Sequence, residues 1–226
     1  MLFPIGDDQV KGGYFPLFSY GFIVLNIIIY FMQSNTPGGL YEYAAIPAEI
    51  VQGQDLITLI TSMFLHGGFM HILGNMLFLW VFADNIEATI GNFRFVVFYL
   101  LGGLAAHAAH IYFNVDSQIP TVGASGAISA VMGAYLIMFP TSRVKMLFIV
   151  FTFRIPAILF LGFWIWMQSS SGIASLELPQ EGGGVAWWAH IGGFAFGVIA
   201  GLYYKFNYPI PGREYSRDQA YNDRRW

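Results

Sequence analysis

Six apolar segments separated by short polar connections dominate the chain and limit what it can fold into. They cover residues 14–32, 68–82, 93–113, 125–139, 155–167 and 185–206. Only 10% of the 226 residues are charged, against about 25% in average soluble domains. A helix needs about 20 apolar residues to cross the hydrocarbon core of a bilayer. The pattern predicts an all-α integral membrane protein with six transmembrane helices.

The basic residues fall on one side of this predicted topology. With the amino terminus in the cytoplasm, all ten Lys and Arg lie in cytoplasmic connections or ends. They are Lys11, Arg94, Arg143, Lys145, Arg154, Lys205, Arg213, Arg217, Arg224 and Arg225. The outward loops carry only acidic charges, namely Glu42, Glu49, Asp55, Asp116, Glu177 and Glu181. This asymmetry follows the positive-inside rule and predicts that both termini are cytoplasmic.

The division into parts follows from the same pattern. We expect one membrane domain over residues 1–206 and a short polar cytoplasmic tail over residues 207–226. Residues 144–153 are apolar but are followed by Arg154 and Pro156, which favours an interfacial segment before the fifth span. The connections between spans are expected to begin near Gln33, Ala83, Asn114, Pro140 and Gln168. The chain has no cysteine, which excludes a disulfide framework and a thiol nucleophile.

Four polar residues are predicted to share one depth below the outer membrane surface. Spans two, four and six all begin at that surface, and they contain His71 with Asn75, Ser125, and His190 respectively. The fourth span is short, so its first residue, Ser125, must lie below the surface. Polar side chains inside a membrane are costly and usually functional. The topology therefore predicts a polar site near the outer face.

Ser125 lies at the start of an apolar helix between residues with almost no side chain. A helix amino terminus presents free N–H groups and a positive dipole end, which favour a developing oxyanion. Gly123 and Ala124 let another backbone, including that of a substrate, approach closely, and we expect both to help stabilise the oxyanion or the bound substrate. His71 and Asn75 are four residues apart, so both point the same way and can donate to an oxyanion.

Small residues predict close contact between spans four and six. Gly126 and Gly133 follow Ser125 on one span, and Gly193 and Gly197 follow His190 on the other. Such faces allow helices to pack tightly in membranes, which would bring the His190 imidazole to the Ser125 hydroxyl. A serine beside a base is an activated nucleophile. The alternative is that the small residues serve helix packing alone.

With these motifs in this order, the sequence resembles the rhomboid intramembrane serine proteases. "HILGN" is similar to the second-helix motif of that family, "GASG" to its nucleophile motif, and "AHIGGFAFG" to its sixth-helix histidine motif. "NIEATIGNFRFVVFYLLGG" resembles the segment that joins helices two and three. The resemblance implies a six-helix rhomboid-like bundle. It also implies Ser125 as nucleophile, His190 as general base, and His71 with Asn75 as oxyanion stabilisers.

The resemblance further implies hydrolysis of peptide bonds in or near transmembrane segments of other proteins. No cofactor, metal or nucleic acid is expected, and the partners are membrane-protein substrates and the lipid bilayer. We expect a Ser–His dyad and a bacterial inner membrane as the location. Two features depart from some family members: Ser129 stands where an aromatic residue stacks on the histidine, and residues 34–55 lack a Trp-Arg pair.

Other residues leave alternatives open. His66 is expected to structure the first loop or shape a cavity rather than to act in catalysis. His107 and His110 could bind a metal, but buried hydrogen bonding is the commoner role. Phe160 and Trp164 in span five are either lipid-facing aromatics or part of a substrate gate. The alternative function is a non-catalytic scaffold, or a transporter with a histidine proton path.

Overall fold

A computed structural model describes residues 2–36, 38–176 and 184–212. Within these ranges the fold is mostly helical, with one small sheet. The longer helices are α1 (Leu17–Ser34), α5 (Phe69–Ile90), α6 (Asn92–Phe113), α7 (Ser125–Met138), α8 (Ala157–Ala174) and α9 (Trp187–Asn207). The short helices α2 (Gly39–Glu42), α3 (Pro47–Val51) and α4 (Thr58–Thr61), with a 3-10 turn at Ser62–Phe64, lie between α1 and α5. The expected tail after residue 212, together with Glu177 and Glu181, lies outside the described residues.

Four of the described helices are long and apolar enough to cross a membrane: Leu17–Ser34, Phe69–Ile90, Asn92–Phe113 and Ala157–Ala174. Helix α7 is apolar but has only 14 residues. Helix α9 has 21 residues, but its tryptophans, tyrosines, glycines and His190 lower its mean hydropathy. The structure therefore supports a membrane-embedded bundle.

Helix α7 lies at the centre of the bundle. It packs on α5, α6, α8 and α9, and its closest partner is α9. Eleven of its residues are buried, from Gly126 through Tyr135 and at Met138. The core around it includes the fully buried rings of Phe82, Phe95, Phe98, Tyr99 and Tyr135. A helix that is apolar all round is expected in such a position.

The expectation of an all-α protein is wrong in one region. Residues 143–156 form a β-hairpin of β2 (Arg143–Phe148) and β3 (Phe151–Pro156), where an interfacial segment was predicted. The strand β1 (Leu2–Gly6) pairs with the other edge of β2, which gives an antiparallel sheet of order β1-β2-β3. Val144 and Met146 of β2 are buried against the core. Pairing with distant β1 stabilises the sheet, and local sequence cannot reveal that partner.

Helix α5 continues to Ile90, although a connection was predicted near Ala83. The polar residues of its last two turns are buried, and two of them, Asn85 and Glu87, bond to distant segments. Glu87 accepts hydrogen bonds from the backbone amides of Phe18 (2.9 Å) and Ser19 (2.7 Å) and from the Ser19 hydroxyl (2.6 Å). The carboxylate thereby satisfies free N–H groups at the start of α1, where a helix dipole favours negative charge. Glu87 is a polar residue of the kind common in loops, but it lies inside α5 and caps the amino terminus of α1.

A second buried polar cluster joins the amino terminus to the far end of α7. The Tyr135 hydroxyl hydrogen-bonds to Asp7 and to Ser142, the latter at 2.8 Å. Asn85 donates to Asp7 at 2.6 Å and accepts from the Val10 amide at 2.7 Å. Burial raises the pKa of Asp7 to about 6. This cluster fixes β1 and the residues after it beneath the bundle.

Candidate active site

The structure brings Ser125 and His190 into direct contact. Ser125 is the first residue of α7, and His190 lies in the first turn of α9. His190 Nε2 is 2.9 Å from Ser125 Oγ, within hydrogen-bond distance. The two residues are 65 positions apart, so the contact depends on how the two helices pack.

Glycines allow that packing because their side chains are absent where the helix backbones meet. A Cβ at Gly193 would collide with the carbonyl oxygen of Gly126, and one at Gly197 would collide with that of Ala130. A Cβ at Gly133 would in turn strike the α9 backbone. These contacts hold the amino-terminal ends of α7 and α9 side by side. The small-residue faces therefore position the Ser125–His190 contact.

A third polar residue, Gln168 of α8, completes the contact on the other side of the imidazole. Gln168 Oε1 is 2.7 Å from His190 Nδ1, and Gln168 is buried. A carbonyl oxygen can only accept, so Nδ1 carries the proton and Nε2 is left to accept from the Ser125 hydroxyl. This tautomer is the one a general base requires.

Gln168 was missed as a site residue, because the sequence placed it at the start of a loop. Instead, α8 continues through it to Ala174. The available signal was a lone amide after an apolar run, since a polar side chain at membrane depth is usually functional. Among the described residues no acidic side chain hydrogen-bonds to His190.

Beside Ser125, two side chains of α5 form a corner with hydrogen-bond donors. Asn75 is buried, and its Nδ2 has no acceptor among the described residues. His71 Nδ1 accepts from the Gly67 amide at 3.3 Å, so the neutral ring carries its proton on Nε2. That nitrogen lies next to Gly123, where a Cβ would be 2.8 Å from it. Both donors therefore lie beside the residue that precedes Ala124 and Ser125.

Gly123 shapes this corner through its backbone conformation. Its φ of +124° is a conformation that residues with a side chain rarely adopt. Its amide donates to the Ser62 carbonyl at 2.9 Å, and the stabilising role expected of Gly123 stays a prediction. Ala124 is fully buried and immediately precedes α7.

An open cavity of about 1510 Å³ lies over these residues. It is lined by all four predicted polar residues, His71, Asn75, Ser125 and His190, and by Trp164 of α8. Cavities of this kind, with a few convergent polar groups, are the usual form of ligand sites. The volume exceeds the roughly 300–1,000 Å³ usual for small-molecule sites.

Aromatic side chains of α8 contact His190 and α5. Trp164 lies 5.7 Å from the His190 ring, centroid to centroid. Trp187 of α9 also meets the His190 ring edge-on, with centroids 6.4 Å apart, while Ser129 donates to the Ser125 carbonyl at 2.6 Å. Phe160 stacks on Phe82 of α5 with ring centroids 6.1 Å apart. Rings therefore bridge α5 and α8 where the sequence placed a possible gate.

The remaining histidines are each held by hydrogen bonds or burial. His107 Nε2 lies 3.1 Å from the Ser62 hydroxyl, and His110 Nε2 lies 3.0 Å from that of Thr121. The Gln33 side-chain amide hydrogen-bonds twice to the backbone of His66. Its oxygen accepts from the His66 N–H at 3.0 Å, and its nitrogen donates to the His66 carbonyl. Over residues 2–36, 38–176 and 184–212, no group of three or more acidic, His or Cys side chains could hold a metal ion.

Comparison with known proteins agrees with the family resemblance that the sequence motifs indicate. A family model described as the Rhomboid domain matches residues 53–206. Rhomboid protein 1, mitochondrial, of Saccharomyces cerevisiae is 27% identical over 168 residues, which are 73% of this chain and 46% of the relative. Rhomboid protease GluP of Bacillus subtilis is 30% identical over 191 residues, which are 82% of this chain and 34% of the relative. RHOMBOID-like protein 6, mitochondrial, of Arabidopsis thaliana is 31% identical over 154 residues, which are 68% of this chain and 45% of the relative.

The chain spans less than half the length of these three relatives. Two of them are named as mitochondrial and one comes from a bacterium, so the comparison supports a membrane protein and not the predicted bacterial inner membrane in particular. The family match covers well over half of the chain, including Ser125, His190, His71 and Asn75. The chain therefore belongs to the rhomboid family.

Proposed function

We propose that this chain is an intramembrane serine endopeptidase that cleaves transmembrane segments of other membrane proteins near the outer face. The observation that carries the proposal is the chain of hydrogen bonds from Ser125 through His190 to Gln168. Family membership supports the same reaction, since one relative is named a protease. The proposed topology has six spans, with α7 and α9 added to the four longest apolar helices, and cytoplasmic termini.

The geometry accounts for the first step of peptide hydrolysis. Ser125 Oγ attacks the scissile carbonyl carbon while His190 Nε2 takes the hydroxyl proton. The carbonyl oxygen becomes an oxyanion, and Asn75 Nδ2 and His71 Nε2 donate to it. The free donor on buried Asn75 supports this role, because a buried amide otherwise has a partner. The Ala124 amide remains a predicted further donor.

The second half of the reaction returns the site to its starting state. The protonated His190 gives its proton to the amine that leaves, and Ser125 is then joined to the substrate as an ester. Water attacks the ester carbonyl, and His190 accepts one of its protons and passes it to Ser125 Oγ as the acyl bond breaks. Gln168 Oε1 accepts a hydrogen bond from the His190 Nδ1–H throughout, which keeps Nε2 pointed at Ser125.

Fluorophosphonate labelling together with substrate cleavage tests the proposal. The purified protein in detergent should react with the probe and should cleave some members of a panel of single-span substrates. Ser125→Ala should lose both activities and still fold. Ser129→Ala is the matched control, one turn along the same helix, and should keep labelling. A protein that folds but neither labels nor cleaves would favour the non-catalytic scaffold instead.

A further inference from the structure

The β2–β3 hairpin ends in an apolar tip that the bundle does not cover. The tip consists of Phe148, Ile149, Val150 and Phe151, which are 46%, 71%, 76% and 71% exposed. It lies in the sheet, outside the four helices long enough to cross a membrane. Contiguous large apolar side chains on a water-facing surface are rare and mark an interaction site.

The two residues of the turn are not of the types that hairpin turns in water favour. Phe148 pairs with Phe151, so Ile149 and Val150 form a two-residue connection. Two-residue hairpin turns strongly favour Asn-Gly or Asp-Gly, because positive φ suits those residues. Here Ile149 has a φ of +56°, which is strained for a β-branched side chain. Two apolar residues in this turn imply that an apolar side chain is needed at the tip.

The hairpin is amphipathic along its length. Lys145 pairs with Arg154, and Arg143 lies on the same face two residues away. The pairs Met146–Phe153 and Phe148–Phe151 occupy the opposite face, since side chains alternate along a strand. One face is therefore basic and the other apolar, and the apolar face extends beyond the core to the exposed tip.

The base of the hairpin is tied to a helix that can span the membrane. Helix α8 begins at Ala157, directly after β3. The amides of Ala157 and Ile158 donate to the carbonyls of Ser142 (2.8 Å) and Pro140 (3.0 Å). Ile158 and Leu159 are 52% and 64% exposed on the first turn of α8. The exposed apolar surface of the helix thus begins where the hairpin ends, at the end of the bundle remote from Ser125, which the proposed topology puts at the cytoplasmic membrane surface.

We propose that this tip inserts into the lipid leaflet at that surface, with the basic face of the hairpin among anionic headgroups. Asp8 forms ion pairs with both Arg143 (3.3 Å) and Arg154 (2.9 Å). One carboxylate faces two arginines, and Lys145 adds a third positive charge, so the face keeps a net positive charge. Exposed apolar side chains beside basic residues are the composition of segments that lie in a membrane interface.

Insertion has a consequence for α8. The hairpin would anchor the end of α8 that follows β3, while Gln168 and the cavity lie toward the other end. A helix held at one end by lipid and sheet can move at the other.

Fluorescence quenching at single cysteines tests the proposal, because the chain has no cysteine of its own. Val150→Cys places an environment-sensitive label at the tip. Thr152→Cys places the same label two residues away on the basic face and is the matched control. Each protein is reconstituted in vesicles of phosphatidylcholine and phosphatidylglycerol, with lipid-borne nitroxide or aqueous iodide as quencher.

The label at Val150 should be quenched several-fold more by the lipid nitroxide than the label at Thr152, and less by iodide. A label at Phe151→Cys should move toward water when Ile149→Asn and Val150→Gly replace the turn, since the hairpin then keeps a favoured turn without apolar side chains. Iodide quenching at Val150 equal to that at Thr152 would overturn the proposal. So would protection from both quenchers together with disulfide cross-linking between copies of the Val150→Cys variant, which would assign the tip to a protein contact.

Discussion

Polar groups lie at both ends of α7, but the two ends differ in whether these groups already have hydrogen-bond partners. At one end Ser125 and His190 face an open cavity, and buried Asn75 Nδ2 donates to no described acceptor. At the other end the Tyr135 hydroxyl is engaged by both Asp7 and Ser142. The first end therefore keeps hydrogen-bonding capacity for a ligand, and the second uses its own to join segments of the chain.

This difference separates groups that hold the fold from groups available for chemistry. A buried donor without a partner costs about 1–3 kcal/mol, and Asn75 Nδ2 bears that cost beside the open cavity, as the Tyr99 hydroxyl and Trp188 Nε1 do elsewhere. At the Ser125 end, a reacting carbonyl oxygen could be that partner. Substitutions at the Ser125 end should therefore change rate more than stability, and substitutions at the Tyr135 end should do the reverse.

The largest effect is expected from the two donors on α5. Asn75→Ala and His71→Ala should each lower kcat by about 10² to 10³ with little change in KM, because a contact made in the transition state is lost. His66→Ala is the control, since its backbone is clamped to Gln33 and the residue is buried. It should lower stability more than the rate per folded molecule. Kinetics on purified variants, normalised to folded protein, measure both; a slow His66 variant beside a fast Asn75 variant would reverse the assignment.

A smaller loss is expected at Gln168. Gln168→Leu leaves the His190 Nδ1–H without an acceptor, which costs about 1–3 kcal/mol and corresponds to roughly 10- to 100-fold in rate. The loss should appear in kcat and in the fluorophosphonate labelling rate rather than in KM. Gln168→Glu keeps an acceptor at the same position and should recover most of the rate. If the Leu and Glu variants were equally impaired with normal stability, Gln168 would not position His190.

Opening of the α5–α8 seam should raise turnover by a smaller factor. Phe160→Ala removes the ring that stacks on Phe82, so α8 should separate from α5 more readily and admit transmembrane substrates faster. Turnover of a single-span substrate measures the effect. A cleavable bifunctional maleimide that joins Phe78→Cys of α5 to Phe160→Cys of α8, whose rings lie 6.1 Å apart in the parent, should block cleavage until the linker is cut. Unchanged cleavage in the cross-linked protein would show that substrates do not enter between α5 and α8.

The smallest effect on rate is expected at Tyr135. Tyr135→Phe removes the hydroxyl and leaves Asp7 and Ser142 each short of one partner. We expect a loss of about 1–3 kcal/mol in the free energy of unfolding and an unchanged rate per folded molecule. Thermal unfolding in detergent, beside activity on the same samples, tests this. A variant that is as stable as the parent but slow would remove the distinction between the two ends of α7.

Much of the candidate site was predictable because its residues belong to local patterns. Ser125 stands at a helix start between small residues, and the spacing of Gly193 and Gly197 after His190 marks a packing face. His71 and Asn75 lie four residues apart in the same helix, so one face of α5 carries both. The structure brings all of these residues to one cavity or to the helix contact beneath it.

The features that sequence reasoning missed all depend on a distant partner. Glu87 belongs to α5 because it caps α1, 69 residues earlier at Phe18. Gln168 is a site residue because α9 places His190 beside it, 22 residues later. The hairpin is a sheet and not an isolated interfacial segment because β1 supplies its third strand. A local window contains none of these partners.

The sequence alone determined the apolar segments, the charge asymmetry and the residues that could perform chemistry, because each depends on residue type and on spacing within a few helical turns. Tertiary structure decided which side chains meet. It placed a neutral amide, Gln168, behind His190 and turned the Gly123 amide away toward Ser62. It also paired Asp7 with Tyr135, 128 residues along the chain. Contacts between distant residues are set by how closely the helices approach, and for Ser125 and His190 the glycine-lined contact of α7 with α9 fixes that distance.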